Sequence, residues 1–328
     1  MRAFVTGGTG FLGRRVVRRL IERGDEVLAL AREGSRSEDL VAAGATVVFG
    51  DLADVGPILD RVAECDVVYH VGARVQSHGQ WDEFFRVNVE ATQRLMDAAL
   101  AGRAERFVHV SSLGIFEIDR DGLTITDTSD YDRRPTMRGF YTRSKIDADR
   151  LACAAVRSGK NVVVVRPGLL YGPDHPQQSV FLGRVKKFLR PDLLVVVSTP
   201  RYLLPLTYIE NAADAVVLAG VTEGIDGSIF NVIDDPTLTQ GEYFRTLGQV
   251  RSRPLRVVYV PVALLAPAVK AVDALHRLVK RRPWSVAYQL LRSERSTRYA
   301  TDAAAARLGW KPRVGLREAL EESLRKPA

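Results

Sequence analysis

Cysteine is nearly missing from this 328-residue chain: Cys65 and Cys153 are the two, far apart and each in an apolar or helical setting. They lack metal-ligand spacing, so no metal site is expected, and plain core thiols in a reducing compartment are the simplest reading. Long apolar runs are missing as well, since none reaches the ~18 uninterrupted residues of a membrane span. There is no low-complexity tract and no internal repeat. Met1 leads straight into the apolar run Ala3-Phe4-Val5, which leaves no room for a secretory leader, and a cytoplasmic location is expected. What is present is a hydrophobic share of 46% and a formal charge of +8. Such a chain is globular, with one large domain or two intimately packed ones.

The stretch Val5-Thr6-Gly7-Gly8-Thr9-Gly10-Phe11-Leu12-Gly13 opens an amphipathic segment that runs to Arg23. It reads as strand, glycine-rich turn and helix. Gly7 and Gly8 can take φ values closed to other residues, Gly10 lets the main chain approach a ligand, and Gly13 lets the helix pack on the strand. The helix N-terminus would offer N–H groups and a positive dipole end to a pyrophosphate. A lone Gly-x-Gly-x-x-Gly is a weak signal and also suits a surface turn. Between a strand and a helix, and obeying Gly-x-x-Gly-x-x-Gly too, it predicts a dinucleotide site over residues 6–13.

Residues 1–170 alternate strand-like and helix-like runs. The strands fall at 2–6, 26–31, 46–50, 67–70, 106–111 and 161–166. Continuous β-branched runs such as Val162-Val163-Val164-Val165 suit a parallel sheet covered on both faces. The prediction is a Rossmann-type, doubly wound α/β sheet with ligands at its strand C-termini. Arg32 ends the second strand, where an NAD site would carry an acid for the ribose 2′-hydroxyl. An Arg there suits a 2′-phosphate, so NADP(H) is expected over NAD(H). Asp51 and Leu52 end the third strand, with Asp51 placed to take an adenine amino group. Val71, Gly72 and Ala73 follow the fourth and allow backbone approach to the cofactor, while His70 reads as a packing residue. Pro167 and Gly168 end the sixth.

Ser111 and Ser112 end the fifth strand with two hydroxyls toward the cofactor crevice. Tyr141 and Lys145 share one face of a helix predicted over 141–158. A cation beside a phenol favours the phenolate and lowers its pKa, which suits a proton donor or acceptor near neutral pH. Tyr-x-x-x-Lys alone is common by chance; with the glycine turn and strand-end Ser, in this order, it is specific.

On these motifs the chain resembles the extended short-chain dehydrogenase/reductases, the NAD(P)-dependent epimerase/dehydratase-like family, over nearly its whole length. The resemblance implies that Ser112, four residues before Phe116, is the catalytic Ser, that Tyr141 and Lys145 are its partners, and that Asn88 supports the site. Leu308-Gly309-Trp310-Lys311-Pro312 matches a late family signature. Arg166-Pro167-Gly168 is similar to the 3β-hydroxysteroid dehydrogenase and dihydroflavonol reductase side, and the Asn with which sugar-nucleotide enzymes hold a diphosphate is absent there. Leu113-Gly114 stands where dehydratases carry acids, and Phe116 replaces a usual Tyr. The implied activity is hydride transfer between NADP(H) and a secondary alcohol or ketone on a hydrophobic small molecule. The alternatives are a nucleotide-sugar 4-epimerase or dehydratase, and a non-catalytic sensor or assembly subunit. A homodimer through helices at 83–100 and 141–158 is implied by the family alone.

Beyond Gly172 the pattern changes. Prolines crowd residues 173–207, with a strand predicted near 194–197; a helix returning to the sheet is predicted from 207, and strands at 228–232 and 256–260. Residues 171–206 and 223–328 are expected to form a mostly helical substrate lid. Residues 245–298 hold twelve Lys/Arg against Asp273 and Glu294. Leu265, Val269, Val272, Leu275 and Val279 recur on one predicted helix face, with Lys270, Asp273, Arg277 and Lys280 on the other and Arg281-Arg282 after. This segment is expected either to cover the pocket or to meet an anionic membrane. Nucleic acid is not an expected partner, because aromatic interleaving is missing.

Overall fold

The structure, a computed structural model, describes residues 1–75, 78–175, 192–251, 254–280, 285–292 and 295–325, with residues 275–280 described by their backbone alone. Its strands are β1 (Arg2–Thr6), β2 (Glu26–Ala31), β3 (Thr46–Phe49), β4 (Val67–His70), β5 (Arg106–Val110), β6 (Leu123–Ile125), β7 (Val162–Pro167), β8 (Leu169–Tyr171), β9 (Leu193–Val197), β10 (Leu206–Tyr208), β11 (Ile229–Val232), β12 (Arg256–Val260) and β13 (Thr297–Tyr299). Seven of them form one all-parallel sheet in the order β3-β2-β1-β4-β5-β7-β11. The chain winds from β1 outward to β3, then restarts at β4 and winds the other way. The crevice at such a reversal, between β1 and β4, is where doubly wound sheets bind ligands.

Burial follows the sequence pattern. The Val162–Val165 run is fully buried, because helices cover both sheet faces. One face packs against the Gly13–Glu22 and Ile209–Val221 helices, and the other against the Ala91–Ala101 and Phe140–Arg157 helices. Cys65 and Cys153 are free, buried thiols, each pushed up to about 11 by desolvation. The Ile209–Val221 helix is tied to the first helix by Arg15 and Arg19, which reach Glu210 and Asp214. Its Asn211 carbonyl accepts the Trp310 indole N–H at 2.9 Å. The Leu-Gly-Trp signature therefore anchors the C-terminal chain to the sheet's covering helix.

Three differences from the sequence reading matter. The helix predicted over 83–100 is two α-helical segments, Trp81–Phe85 and Ala91–Ala101, joined by a π-turn at Arg86–Glu90. The Ile229–Val232 strand, expected in the lid, joins the main sheet beside β7, while the Arg256–Val260 strand pairs in parallel with β9 away from it. The short strands of two further parallel pairs, β6 with β13 and β8 with β10, carry no alternation long enough to read.

The basic segment also departs from expectation. The Val262–Lys280 helix turns Asp273 inward, where its carboxylate accepts the amides of Val286 and Ala287 and the Ser285 hydroxyl. Exposed on it are Lys270, Leu264, at 73%, and Val272, at 52%. The expected split into an apolar inner and a charged outer face is thus overturned at Asp273 and Val272, because capping the next helix outranks amphipathicity. The side chains of Leu275, Arg277, Val279 and Lys280, and residues Arg281, Arg282, Glu294, Pro176 and Pro191, lie outside the described residues. No helix among the described residues is long and apolar enough to cross a membrane.

Candidate active site

The glycine turn stands at the C-terminal end of β1, at the winding reversal. Gly7 has φ +69°, and a Cβ on it would lie 2.6 Å from Gly72 Cα, so the ends of β1 and β4 touch backbone to backbone. A Cβ on Gly13 would overlap the Gly7 carbonyl, which fixes the close start of the helix. That helix has no side-chain cap and no acid in its first turn, and the Phe11 and Leu12 amides donate to no described residue. A diphosphate fits this uncapped end in charge and in donors.

Beneath the turn runs a directional hydrogen-bond chain. The Gly72 amide donates to Thr6 Oγ1 at 3.0 Å, and Thr92 Oγ1 donates to the Asn88 carbonyl at 2.7 Å. Thr92 must then accept from His70 Nε2, at 2.8 Å, and His70 Nδ1 must accept from Thr6 Oγ1, at 2.9 Å. His70 is therefore a neutral Nε2–H tautomer, and burial drives its pKa down to about 3. It was read as packing; its work is to lock β1, β4 and the π-turn together.

The π-turn brings Asn88 inside. Its Oδ1 accepts the Arg74 amide at 2.7 Å, and its Nδ2 donates to the Arg74 carbonyl at 3.1 Å and to Ser144 Oγ at 2.9 Å. Ser144 in turn donates to the Tyr141 carbonyl. Asn88 touches neither the Tyr141 phenol nor the Lys145 ammonium; it fixes the first turn of the helix that carries both. Lys145 is buried, and its Nζ donates to the Val110 carbonyl at 2.7 Å, which docks that helix on the end of β5. Two residues on, Ser112 Oγ accepts the Gly114 amide at 3.1 Å and keeps its own proton for another acceptor. The Tyr141 phenol bonds to no described residue.

Electrostatics correct one expectation. Burial raises the Tyr141 phenol above its usual value, and the charge opposing this is that of Arg138, not Lys145. Lys145 is itself lowered to about 8 by desolvation, with Asp149 working against the shift. Asp149 lies one helical turn after Lys145 in a buried ion pair with Arg166, at 2.6 Å and 3.0 Å, and also accepts the Tyr131 hydroxyl at 2.8 Å.

The other predicted cofactor residues line the same strand ends. Arg32 is exposed just past β2, and its carbonyl accepts the Ser35 hydroxyl. Asp51 is exposed past β3, where its carboxylate accepts the Ala53 amide, and Leu52 lies against Gly72. Val71 and Ala73 are half-buried beside Gly72. Ser111 is buried and its hydroxyl turns inward toward Asp149, not to the cofactor crevice as the sequence suggested. Pro167 is buried, and Gly168 packs so closely on the Pro205 carbonyl that a Cβ would overlap it. Close strand packing is the visible reason for that glycine. Phe116 is fully buried, stacked on Tyr131 under the Arg166 guanidinium, so its missing hydroxyl would not face a ligand.

A model of the NAD-dependent epimerase/dehydratase family matches residues 3–232. The chain belongs to that family. Within this epimerase/dehydratase family it is an extended short-chain dehydrogenase/reductase. It is similar to a 4-hydroxy-2-methyl-3-oxo-4-farnesyl-3,4-dihydroquinoline-1-oxide ketoreductase of Stigmatella aurantiaca, 28% identical with 98% of this chain and 95% of the relative covered. It is also similar to a 2-alkyl-3-oxoalkanoate reductase of Shewanella oneidensis, 28% identical over 97% and 84% of the two chains. Among solved structures, MoeE5 in complex with UDP-glucose and NAD superposes with a TM-score of 0.73 at 22% identity, covering 98% of this chain and 97% of that one. That likeness is one of fold.

Two groups of this epimerase/dehydratase-family site escaped sequence reasoning. Asp149 was legible in principle, at i+4 from Lys145 on the same helix face. Arg138, three residues before Tyr141, had no spacing rule to announce it. It donates to the Gly114 carbonyl and lies 3.4 Å from Asp132.

The lowered Lys145 pKa has a consequence for stability. A base whose folded pKa lies below its unfolded value of about 10.4 costs stability while charged, so that cost is full below about pH 8 and fades as pH rises to about 10.4. Urea unfolding of the cofactor-free protein should show the wild type gaining stability relative to Lys145→Met across that window. A flat difference would contradict the burial of an unneutralised ammonium.

Proposed function

We propose that this family member is an NADPH-dependent reductase of ketones, acting reversibly on secondary alcohols, with a hydrophobic substrate. The observation that carries this is the grouping of Ser112 and buried Lys145 at the end of β5, with the Tyr141 phenol, which has no described hydrogen-bond partner, one turn before Lys145, together with the uncapped helix end after β1. The names of the two ketoreductase relatives agree with it.

The nicotinamide supplies the hydride when bound. Residues 6–13 would hold the diphosphate on the helix N-terminus, and the chain just past β4 would border the cofactor. Ser112 donates a hydrogen bond to the substrate carbonyl, polarising it and fixing its position. Tyr141 gives its proton to the same oxygen, and takes it back in the reverse direction. Lys145, anchored on the Val110 carbonyl, lies one turn along the same helix, and Asn88 positions the helix that presents both. The epimerase or dehydratase alternative is weaker, because Leu113-Gly114 follows Ser112 and the nearby acids Glu117 and Asp132 are held by Arg292 and by backbone amides.

Tyr141→Phe keeps the ring and loses the proton, so turnover should vanish while cofactor binding persists. Ser112→Ala should lose roughly two to four decades of kcat/KM. Near-normal ketone reduction by Tyr141→Phe would refute the mechanism. For the cofactor, Arg32 supports NADPH over NADH, and a charged Arg–phosphate contact gives about one to two decades of preference. Fluorescence titration of both cofactors checks this: the wild-type preference should collapse in Arg32→Ala, and equal affinities in the wild type would exclude it.

We also propose that the Val262–Lys280 helix rests on an anionic membrane surface. Leu264, Val272 and Lys270 are all exposed on this helix, in a segment where basic residues outnumber acids twelve to two. An apolar face fringed by cations is the pattern of an interfacial helix. Co-sedimentation should occur with anionic but not neutral vesicles, weaken with salt, and fall in a Leu264→Glu/Val272→Glu variant. Absence of binding at low salt would dismiss it.

A further inference from the structure

Gly114 is held at both ends of its peptide by side chains that border the reaction. Its amide donates to Ser112 Oγ at 3.1 Å, and its carbonyl accepts Arg138 Nη1. The packing here is tight: a Cβ on Gly114 would lie 3.3 Å from Ser112 Oγ and 3.4 Å from Arg138 Nη2. Glycine is what lets the two side chains close on one residue.

Arg138 is tied as directly to the phenol. It ends the Pro135–Arg138 3₁₀ turn; Gly139 follows at φ +108°, and the Phe140–Arg157 helix then begins, with Tyr141 in its first turn. The turn has a second anchor, because the Met137 carbonyl accepts the Ser285 amide at 2.9 Å. Among the described residues, no other side-chain hydrogen bond joins residues 112–115 to residues 135–141.

The charge of Arg138 is only partly met. Asp132 lies 3.4 Å away but is shared with Arg292 at 3.5 Å, and its other oxygen accepts the Arg134 amide and the Tyr288 hydroxyl. Arg292, with Glu117 at 3.6 Å behind it, and the phenols of Tyr299 and Tyr202 are the other groups that feel this guanidinium. At the Tyr141 phenol, Arg138 is the charge that works against burial.

We propose that Arg138 is a positioning residue for the reduction: it holds the Ser112 hydroxyl and the Tyr141 phenol on one substrate oxygen and keeps a positive charge beside the proton transfer. This rests on the reductase reading above. The two donors come from different elements, and they act together only when both point at the same atom. An error of about 1 Å in such a pair costs up to about a hundredfold in rate. The phenol turns negative as its proton leaves, and a fixed guanidinium nearby stabilises that anion.

Turnover and the phenol can be followed separately. With NADPH and 2-decanone, Arg138→Met should lower kcat by about tenfold to a hundredfold, with little change in KM or in NADPH affinity. Arg138→Lys, which keeps the charge and a donor, should recover part of that loss. In a Ser112→Ala background the Met substitution should cost severalfold less, because one of the groups it positions is gone. The phenol is read by fluorine NMR of protein labelled with fluorotyrosine, whose lowered pKa brings its titration toward the pH range in which the fold survives. The Tyr141 line is the one missing from Tyr141→Phe. Arg138→Met should move that titration to higher pH, and Arg138→Lys should leave it near the wild type, a difference that lost packing alone would not make. Should the Met variant lose its unfolding transition, Arg138→Gln takes its place, since it can still donate to the Gly114 carbonyl without the charge. An unmoved titration, or equal losses of kcat in the wild-type and Ser112→Ala backgrounds, would overturn the proposal. A wild type that reduces no ketone would remove the reductase reading, and the phenol titration would still decide for or against Arg138.

Discussion

An ammonium taken out of water is the constraint on which the site is built. Lys145 is buried at the end of β5 with one carbonyl, that of Val110, as its hydrogen-bond partner. A cation in that position costs several kcal/mol unless the surroundings answer it. The answer comes from behind: Asp149 raises the Lys145 pKa, while Arg166 and Tyr131 keep Asp149 ionised and oriented. Burial first, and this ammonium after it, keeps His70 and His109 neutral beneath it. The interior between β4, β5 and the Phe140–Arg157 helix is therefore a layered charge arrangement.

That arrangement holds only if the strand ends meet without side chains between them. Gly7 against Gly72, and Gly13 against Gly7, make the crevice narrow enough for backbone amides to serve as ligands. The Thr6–His70–Thr92 chain then carries the register of β1 and β4 to the π-turn, where Asn88 fixes the helix that bears Tyr141. The glycine turn and the helix that bears Tyr141 are thus parts of one hydrogen-bonded framework. A π-turn suits this junction, because one extra residue per turn rotates a polar side chain inward without ending the helix.

How much of this could be read from the sequence follows from what each feature depends on. The glycine turn, Ser112, Tyr141 and Lys145 depend on local backbone geometry and short spacing, so they were visible, as were β1, β2, β4 and the buried Val162–Val165 run. The π-turn was not, because i→i+5 bonding leaves no change in the apolar period. Arg138 and Asp132 were not, because their meaning comes from approach across the loop between β5 and the Phe140–Arg157 helix. The direction of the Tyr141 shift was misjudged for a related reason: i, i+4 spacing puts two residues on one face, but burial had the larger effect and the nearer opposing charge came from elsewhere. Asp273 was assigned to the wet side of its helix for want of any sign that a following helix would need its carboxylate.

The loop from Ser112 to Arg138 shows why substrate choice and chemistry are hard to separate in this fold. Its inner end carries the serine hydroxyl, and its outer end carries Arg138 and leads into Tyr141. It is closed from outside by the C-terminal chain: Arg292 donates to the Phe116 carbonyl, Arg295 to the Ile118 carbonyl and Tyr288 to Asp132, and β13 lies in parallel register on β6. Residues far along the sequence therefore hold the loop that follows Ser112. A change in the C-terminal region that reshapes the pocket for a different skeleton also tugs on the Ser112 loop. The Rossmann half, by contrast, meets that region through the Trp310 and Asn211 anchor, on the far side of the sheet's covering helix. Specificity can drift through the clamp on the loop while the cradle and the Tyr141–Lys145 helix stay as they are.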